Sequence, residues 1–174
     1  MSYLLDLVRP TPGKDPAKSA KALLIQAGRQ RGKARPADEQ LKLRLVQALK
    51  EANPSLRIMN AAHADLSLPR EGDESDRTSR PHIELYSDSG LTITVDDKTA
   101  SVALPFWYKG DQIDAVLEET QGYLDILQRE GKYEVYDPQM ERMLNIPADL
   151  GYVRQALAQI ASPLNVEVQV IRIE

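Results

Sequence analysis

Hydrophobic residues along this chain follow two periods. In some segments they alternate with polar residues or form short apolar runs, which predicts strands, and in others they recur every three or four residues, which predicts helices with one apolar face. The strand patterns lie at 3–8, 56–59, 82–87, 91–95, 99–104, 133–136 and 166–173. The helical spacing lies at 16–30, 36–52, 111–131 and 147–162. Strands therefore gather in the middle and at both ends of the chain, with helices between them.

This order of elements predicts an α+β fold. Asp-Ser-Gly and Asp-Asp-Lys turns join the three central strands, as in antiparallel hairpins. We predict a mostly antiparallel sheet of about five to seven strands, with about four helices packed largely on one face. The 174 residues have the length of one domain, so we predict a single α+β domain over 1–174. A mobile loop is expected near 60–81, where Pro, Gly and mixed charges replace any apolar pattern.

Three positions carry signals for helix ends and turns. Asp111 precedes the apolar repeat of the third helix and can cap it. Pro147 suits the first turn of the fourth helix, where its missing N–H would have no partner. Asp137-Pro138 follows a strand, which favours a turn in which the Asp side chain accepts backbone hydrogen bonds.

The charge is unevenly divided. Residues 1–50 carry 11 Lys and Arg against 4 Asp and Glu, whereas residues 51–174 carry 11 against 22, and the net charge is -4. The acidic part favours association with basic proteins and repels nucleic acid. The basic cluster at 29–35 contains no aromatic residue to stack on bases, so a charged interhelical loop is favoured over a nucleic-acid site.

The sequence predicts no membrane segment and no signal peptide. The first ten residues lack a basic region, and Asp6 interrupts their apolar run. No later apolar run approaches the ~18 residues that a membrane span needs. The chain also has no Cys, which excludes disulfides and thiolate nucleophiles. We predict a cytoplasmic protein.

Catalytic and cofactor motifs are not found. The two histidines, His63 and His82, lie in no nucleophile elbow and form no metal-binding pair. Gly28 and Gly32 lack the spacing of a phosphate-binding loop. We therefore expect no metal and no cofactor, and no residue is nominated as catalytic. Carboxylates are abundant, so a pair for acid/base chemistry stays open.

The aromatic residues are concentrated in residues 104–139, which hold the only Trp, the only Phe and four of the seven Tyr. Two segments of this stretch end predicted strands, at 105–108 and 136–139. The structural interpretation, core packing and turns, is favoured. In the functional interpretation both strand ends meet at one edge of the sheet and present a binding surface, because Trp and Tyr supply many binding hot spots. The candidate contacts are then Trp107, Tyr108, Tyr136, Asp137 and Gln139.

Acidic side chains cover the polar faces of the third helix. Asp111, Asp114, Glu118 and Glu119 belong to this set, and the first three are candidate contacts. Such a cluster is more often a solvated face than a site. As part of an interaction surface it would favour a basic partner.

The segments Leu-Pro-Phe-Trp-Tyr at 104–108 and Tyr-Glu-Val-Tyr-Asp-Pro-Gln at 133–139 resemble motifs of a loose group of small, mostly uncharacterised bacterial proteins. Members pair these two strand ends and often begin with a Met-Ser-Tyr strand, as this chain does at 1–3. Some resemble immunity or accessory proteins of bacterial toxin systems. The resemblance covers about 85–144 and departs from the group in the long N-terminal helical segment. It implies a non-enzymatic protein that binds another protein, and it assigns no catalytic residue.

Three hypotheses follow. The first is a non-enzymatic protein-binding module of immunity or accessory type, with another protein, basic in character, as its partner. The second is a small hydrolase or transferase with carboxylates in a cleft at the same sheet edge. The third is an RNA-associated protein that uses the basic N-terminal third. The sequence leaves open the identity of the partner, a homo-oligomeric state and the ordering of the 60–81 loop on binding.

Overall fold

The computed structural model describes residues 2–29, 36–59 and 82–161. Within these ranges the strands are β1 Ser2–Val8, β2 Arg57–Ile58, β3 Ile83–Tyr86, β4 Thr92–Val95, β5 Ala100–Pro105, β6 Glu134–Asp137 and β7 Arg142–Leu144. The helices are α1 Pro16–Arg29, α2 Pro36–Ala52, α3 Asp111–Gly131 and α4 Leu150–Ala161. The predicted α+β class is therefore confirmed.

All seven strands join one antiparallel sheet in the order β2-β3-β4-β5-β1-β6-β7. The N-terminal strand β1 lies inside the sheet, between β5 and β6. Ser2 is opposite Pro105 in β5, and Asp6 is opposite Tyr136 in β6. Since β5 and β6 both run antiparallel to β1, their carboxyl ends lie at the same edge of the sheet.

Side chains of β1 alternate between the two faces of the sheet, and a buried cluster forms on each face. Tyr3, Leu5 and Leu7 are buried on one face, together with the facing residues of the neighbouring strands. The main core forms there, against apolar side chains of α2, α3 and α4. The apolar repeat of α3 supplies much of it, including Ile113 and Leu124. Three helices thus cover one face, as the predicted packing requires.

The remaining helix, α1, packs on the opposite face. Ala20 of α1 lies with Val8 and Tyr136 in a second buried cluster, against which Leu24 and Met143 also pack. On this face α1 covers part of β1, β6 and β7. The α1 side therefore buries Asp6 and Val8 of β1, which a sheet covered on one face alone would expose.

The start of α3 differs from the prediction that Asp111 caps it. Gly110 occupies the N-cap position with φ 55°, and no side chain caps the helix there. Gly adopts this positive φ without the steric cost that a Cβ would bring. Asp111 is instead the first helical residue, where its carboxylate complements the positive end of the helix dipole.

Two other predicted boundaries are corrected. Residues 142–144, expected to be a connection, form the edge strand β7, which pairs with β6. The last helix begins at Leu150 and not at Pro147, because residues 145–149 close a turn of their own. In that turn the Asn145 N–H donates to Asp149 Oδ2 at 2.7 Å, and the Asp149 N–H donates to the Asn145 carbonyl at 2.9 Å.

The predicted 60–81 loop and the 166–173 strand lie outside the described residues, and so does nearly all of the basic cluster at 29–35. None of the helices in the described ranges is long and apolar enough to cross a membrane.

Candidate functional site

Trp107 lies two residues after the end of β5 and is 65% exposed. Its indole ring nevertheless has a fixed support, because it lies against the backbone of Gly90 in the turn between β3 and β4. A Cβ atom built on Gly90 would come within 2.7 Å of Trp107 Cζ2. Gly90 also has φ +94°, a conformation that side-chain-bearing residues rarely adopt. The absence of a side chain at Gly90 is therefore what lets the indole rest there.

Tyr108, the next residue, anchors the loop after β5 from its buried side. It is 8% exposed, its ring centroid lies 5.9 Å from that of Trp107, and its hydroxyl donates a hydrogen bond to the Ser89 carbonyl. Burial raises the pKa of the Tyr108 hydroxyl, so it stays protonated and able to donate at neutral pH. The loop after β5 is thus tied to the β3–β4 turn.

The β3–β4 turn is itself closed by several hydrogen bonds. The Gly90 N–H donates to the Ser87 carbonyl at 3.0 Å, and the Leu91 N–H donates to Ser87 Oγ at 3.2 Å. Ser87 Oγ and Ser89 Oγ lie 2.6 Å apart. Trp107 therefore projects from a surface whose supporting turn is already ordered, which lowers the entropic cost of using it in binding.

Two carboxylates belong to the elements beside this aromatic pair, one to the helix that follows Tyr108 and one to the turn that contains Gly90. Glu119 on α3 accepts a hydrogen bond from the Tyr123 hydroxyl at 2.7 Å, and Asn53 donates to the same hydroxyl at 2.7 Å. Asp88 is in the β3–β4 turn, two residues before Gly90. Burial raises the pKa of Tyr123 to about 12, and the negative charges of Glu119 and Asp88 add to this shift. The negative charge of Glu119 also raises the pKa of the Tyr108 hydroxyl. Both carboxylates therefore act on the Tyr123 hydroxyl, and Glu119 also acts on the Tyr108 hydroxyl.

We call this region the Trp107 surface, which comprises Trp107, Tyr108, the turn residues Asp88, Ser89 and Gly90, and Glu119. Its aromatic members were candidates from the sequence. Asp88, Ser89 and Gly90 were predicted only as a hairpin turn, and Glu119 only as one acidic residue of a helix. The signal that could have joined them is the β4–β5 hairpin register, which brings the end of β5 beside the start of β4.

The second candidate segment, at the end of β6, is mostly buried. Asp137 is 0% exposed and accepts hydrogen bonds from the Tyr3 hydroxyl and from the backbone N–H groups of Gln139, at 2.8 Å, and Met140, at 3.1 Å. Asp137 thus organises the β6–β7 turn, which is what the structural interpretation predicted. Tyr136 is 2% exposed and packs beneath α1. Gln139 is exposed.

The strand ends of β5 and β6 lie at one edge of the sheet, but only part of each is available to a partner. Trp107 and Gln139 reach solvent there, whereas Tyr108, Tyr136 and Asp137 are buried. The three buried residues can influence an interface only through the side chains and backbone that they hold in place.

The acidic candidates on α3 are all exposed. Asp114 is held by Arg154 of α4, whose Nε and Nη2 lie 2.5 and 2.9 Å from its two oxygens. These hydrogen bonds lower the pKa of Asp114. Asp111 lies within electrostatic reach of the same guanidinium. Glu118 projects from the helix between this side and the Glu119 side, so the α3 carboxylates do not all face the Trp107 surface.

The described residues include no group of three or more His, Asp or Glu side chains that could hold a metal ion. His82 is half-exposed, with Nε2 3.2 Å from Glu84 Oε1, and His63 lies outside the described residues.

Two buried carboxylates, Asp6 and Asp137, bear on the enzyme alternative. Asp6 is 9% exposed, and burial, with a smaller contribution from Asp137, raises its pKa to about 6. Asp6 shares a face with Tyr136, directly opposite it, so Asp137 at the next position points to the other face. Asp6 and Asp137 therefore do not line one cleft.

Comparison with protein-family models, curated proteins and solved structures finds no match to this chain.

Proposed function

We propose that this chain is a non-enzymatic module that binds a basic partner protein through the Trp107 surface. The observation that carries the proposal is the state of Trp107: the largest side chain type of the twenty is 65% exposed, yet it rests on an ordered turn. A mobile exposed Trp would lose conformational freedom on binding. One that is already positioned loses less, and buried Trp side chains are frequent hot spots of interfaces.

The exposed part of the Trp107 indole does not contribute to the packing of the core. Tyr108, the next residue, supplies the buried aromatic contact and the hydrogen bond to Ser89. An interface would use the exposed area of Trp107, since apolar surface removed from water contributes about 25 cal/mol per Å² before the costs of association.

The charge distribution favours a basic partner. Asp88 and Glu119 belong to the Trp107 surface, and residues 51–174 carry 22 acidic against 11 basic side chains. Long-range attraction of this kind raises association rates and selects partners of opposite charge. The resemblance of the two strand ends to those of immunity and accessory proteins supports the same class of function, in the cytoplasm.

Affinity capture tests the proposal. Tagged wild type, Trp107→Ala and Tyr152→Ala are each incubated with lysate of the native host, and quantitative mass spectrometry identifies what elutes. Tyr152 is the matched control because it is another exposed aromatic residue, 50% exposed on α4. We expect wild type and Tyr152→Ala to retain a basic protein that Trp107→Ala loses. The proposal fails if all three retain the same proteins, or if none is enriched over a resin control.

A fold control accompanies the capture. Thermal unfolding should place Trp107→Ala within about 1 kcal/mol of wild type, because most of the side chain is already in water. A variant that unfolds would show that Trp107 is structural and would remove the basis of the proposal.

A further inference from the structure

The ion pair between Arg57 and Asp88 is the starting point for identifying what the Trp107 surface recognises. The Arg57 guanidinium Nη2 lies 3.7 Å from Asp88 Oδ1, and both side chains are about 70% exposed, at 69% and 72%. The distance is longer than that of a good charge-assisted hydrogen bond, so the pair is weak and can be exchanged. Asp88 therefore already attracts a guanidinium, and this weak pair can be replaced by a contact with another cation.

Glu119 has capacity for a second contact. Its Oε1 atom accepts the Tyr123 hydroxyl, and within the described residues no hydrogen bond reaches its Oε2 atom. The bond to Tyr123 fixes the position of the carboxylate on α3. A cation that approaches would meet a carboxylate already held in place by Tyr123, and Tyr123 is itself held by Asn53.

The indole of Trp107 is the third group of this surface that can attract a cation. The benzene end of Trp107 rests against Gly90, and 65% of the residue remains open to solvent. Trp is the aromatic side chain that attracts cations most strongly through its ring face. Arginine suits such a place better than lysine, because its planar guanidinium can stack on an indole and donate to carboxylates at its edge at the same time.

We propose that the Trp107 surface recognises an arginine side chain of the partner, with the guanidinium on the indole of Trp107 and hydrogen-bonded to Asp88 and Glu119. This inference rests on the proposed function and specifies the chemistry of its partner. Arg57 then acts as an intramolecular competitor, since it pairs with the same Asp88 carboxylate and repels an incoming cation.

Intrinsic fluorescence gives a direct test, because Trp107 is the only Trp of the chain. The probe is an acetylated and amidated Gly-Arg-Gly-Arg-Gly peptide, titrated into the full-length protein at low ionic strength. Its matched control replaces both arginines with citrulline, which keeps the shape and removes the charge. We expect a saturable change in Trp107 emission with the arginine peptide, and an affinity for the citrulline peptide that is lower by about fivefold or more.

Charge variants locate the contact. Asp88→Asn and Glu119→Gln should each weaken arginine-peptide binding by about two- to fivefold, whereas Asp125→Asn, an exposed acid elsewhere on α3, should leave it unchanged. Arg57→Gln should strengthen binding by about twofold or more, because it removes the competitor. Thermal unfolding of Glu119→Gln shows whether the loss of charge also destabilises the contact with Tyr123. If Glu119→Gln is destabilised, the binding affinity of Asp88→Asn decides the test.

Equal affinity for the arginine and citrulline peptides would overturn the inference, and so would Asp88→Asn or Arg57→Gln indistinguishable from wild type. These outcomes are separable from failure of the proposed function. If Trp107→Ala loses a captured partner but the arginine peptide binds no better than its control, the proposed binding function is supported and the proposed arginine contact is wrong. If neither capture nor peptide binding depends on Trp107, both are wrong.

Discussion

The Tyr108 hydroxyl donates a hydrogen bond to the Ser89 backbone carbonyl, and through this bond the loop after β5 is held to the turn between β3 and β4. The two residues are separated by 19 positions, and the pair brackets Gly90 and Trp107. Tyr108→Phe should therefore cost about 1 kcal/mol of unfolding free energy, since it removes one hydrogen bond and leaves the packed ring. Its effect on Trp107 is measured by fluorescence anisotropy, which should fall as the indole gains freedom. Unchanged stability and unchanged anisotropy would show that the bond does not position Trp107.

Gly90→Ala should move Trp107 more than any substitution of Trp107's own neighbours in sequence. The new Cβ would lie 2.7 Å from Cζ2 of the indole, so the ring must leave its support. We expect a loss of stability of about 1–2 kcal/mol, a changed emission maximum and weaker partner binding.

Gly13→Ala is the matched control for Gly90→Ala. Gly13 also has a positive φ, +78°, but apart from its chain neighbours no atom of the described residues lies within 4 Å of the position that its new methyl group would take. It shares the backbone strain and lacks the contact with Trp107. If both variants change Trp107 emission and partner binding equally, the contact between Gly90 and the indole has no functional role.

Asp137→Ala should destabilise the fold by about 3 kcal/mol. The substitution removes the acceptor of three hydrogen bonds, from the Tyr3 hydroxyl and from the Gln139 and Met140 N–H groups, inside a fully buried site. Chemical denaturation measures the loss. A folded variant of normal stability that failed to bind the partner would contradict the structural role and return Asp137 to the interface.

Asp6 gives the fold a pH dependence with a defined sign. Its pKa is about 6 in the folded protein against an ordinary value of 3.8, so the folded state binds more protons between these values. The contribution of Asp6 to stability is therefore fully present below pH ~4, falls as pH rises toward 6, and is lost above it. Relative to wild type, Asp6→Asn should gain roughly 2–3 kcal/mol on going from pH 4 to pH 7.5.

Denaturation of wild type and Asp6→Asn at both pH values measures this double difference. Asp125→Asn, at an exposed position of α3, controls for the change of net charge. If the stability difference between wild type and Asp6→Asn is the same at both pH values, Asp6 does not titrate in a buried environment.

Local patterns in the sequence predicted most elements because they depend on near neighbours. The apolar repeat of α3 and the hairpins of β3, β4 and β5 are cases in which periodicity and turn residues agree. Strand β7 was missed because Arg-Met-Leu is too short to show an alternation. The place of β1 between β5 and β6 was not predictable either, since pairing between residues as far apart as Asp6 and Tyr136 leaves no local trace in the sequence.

The candidate site shows the same division. The sequence identified the aromatic strand ends but could not tell which side chains face outward. A one-residue change of register exchanges the two faces of a strand, so Tyr136 could have been exposed and is instead covered by α1. Likewise Trp107 is exposed and Tyr108 buried because the chain turns toward Gly90 after Pro105, and that turn depends on the neighbouring hairpin.

The most direct test of the Trp107 surface is calorimetric titration of the purified captured partner into wild type, Trp107→Ala and Tyr152→Ala. If the surface is the binding site, Trp107→Ala weakens binding by about 2 kcal/mol or more, which is roughly thirtyfold, and Tyr152→Ala stays within about twofold of wild type. If Trp107→Ala binds within about twofold of wild type, the exposed indole is not a hot spot and the central claim is contradicted.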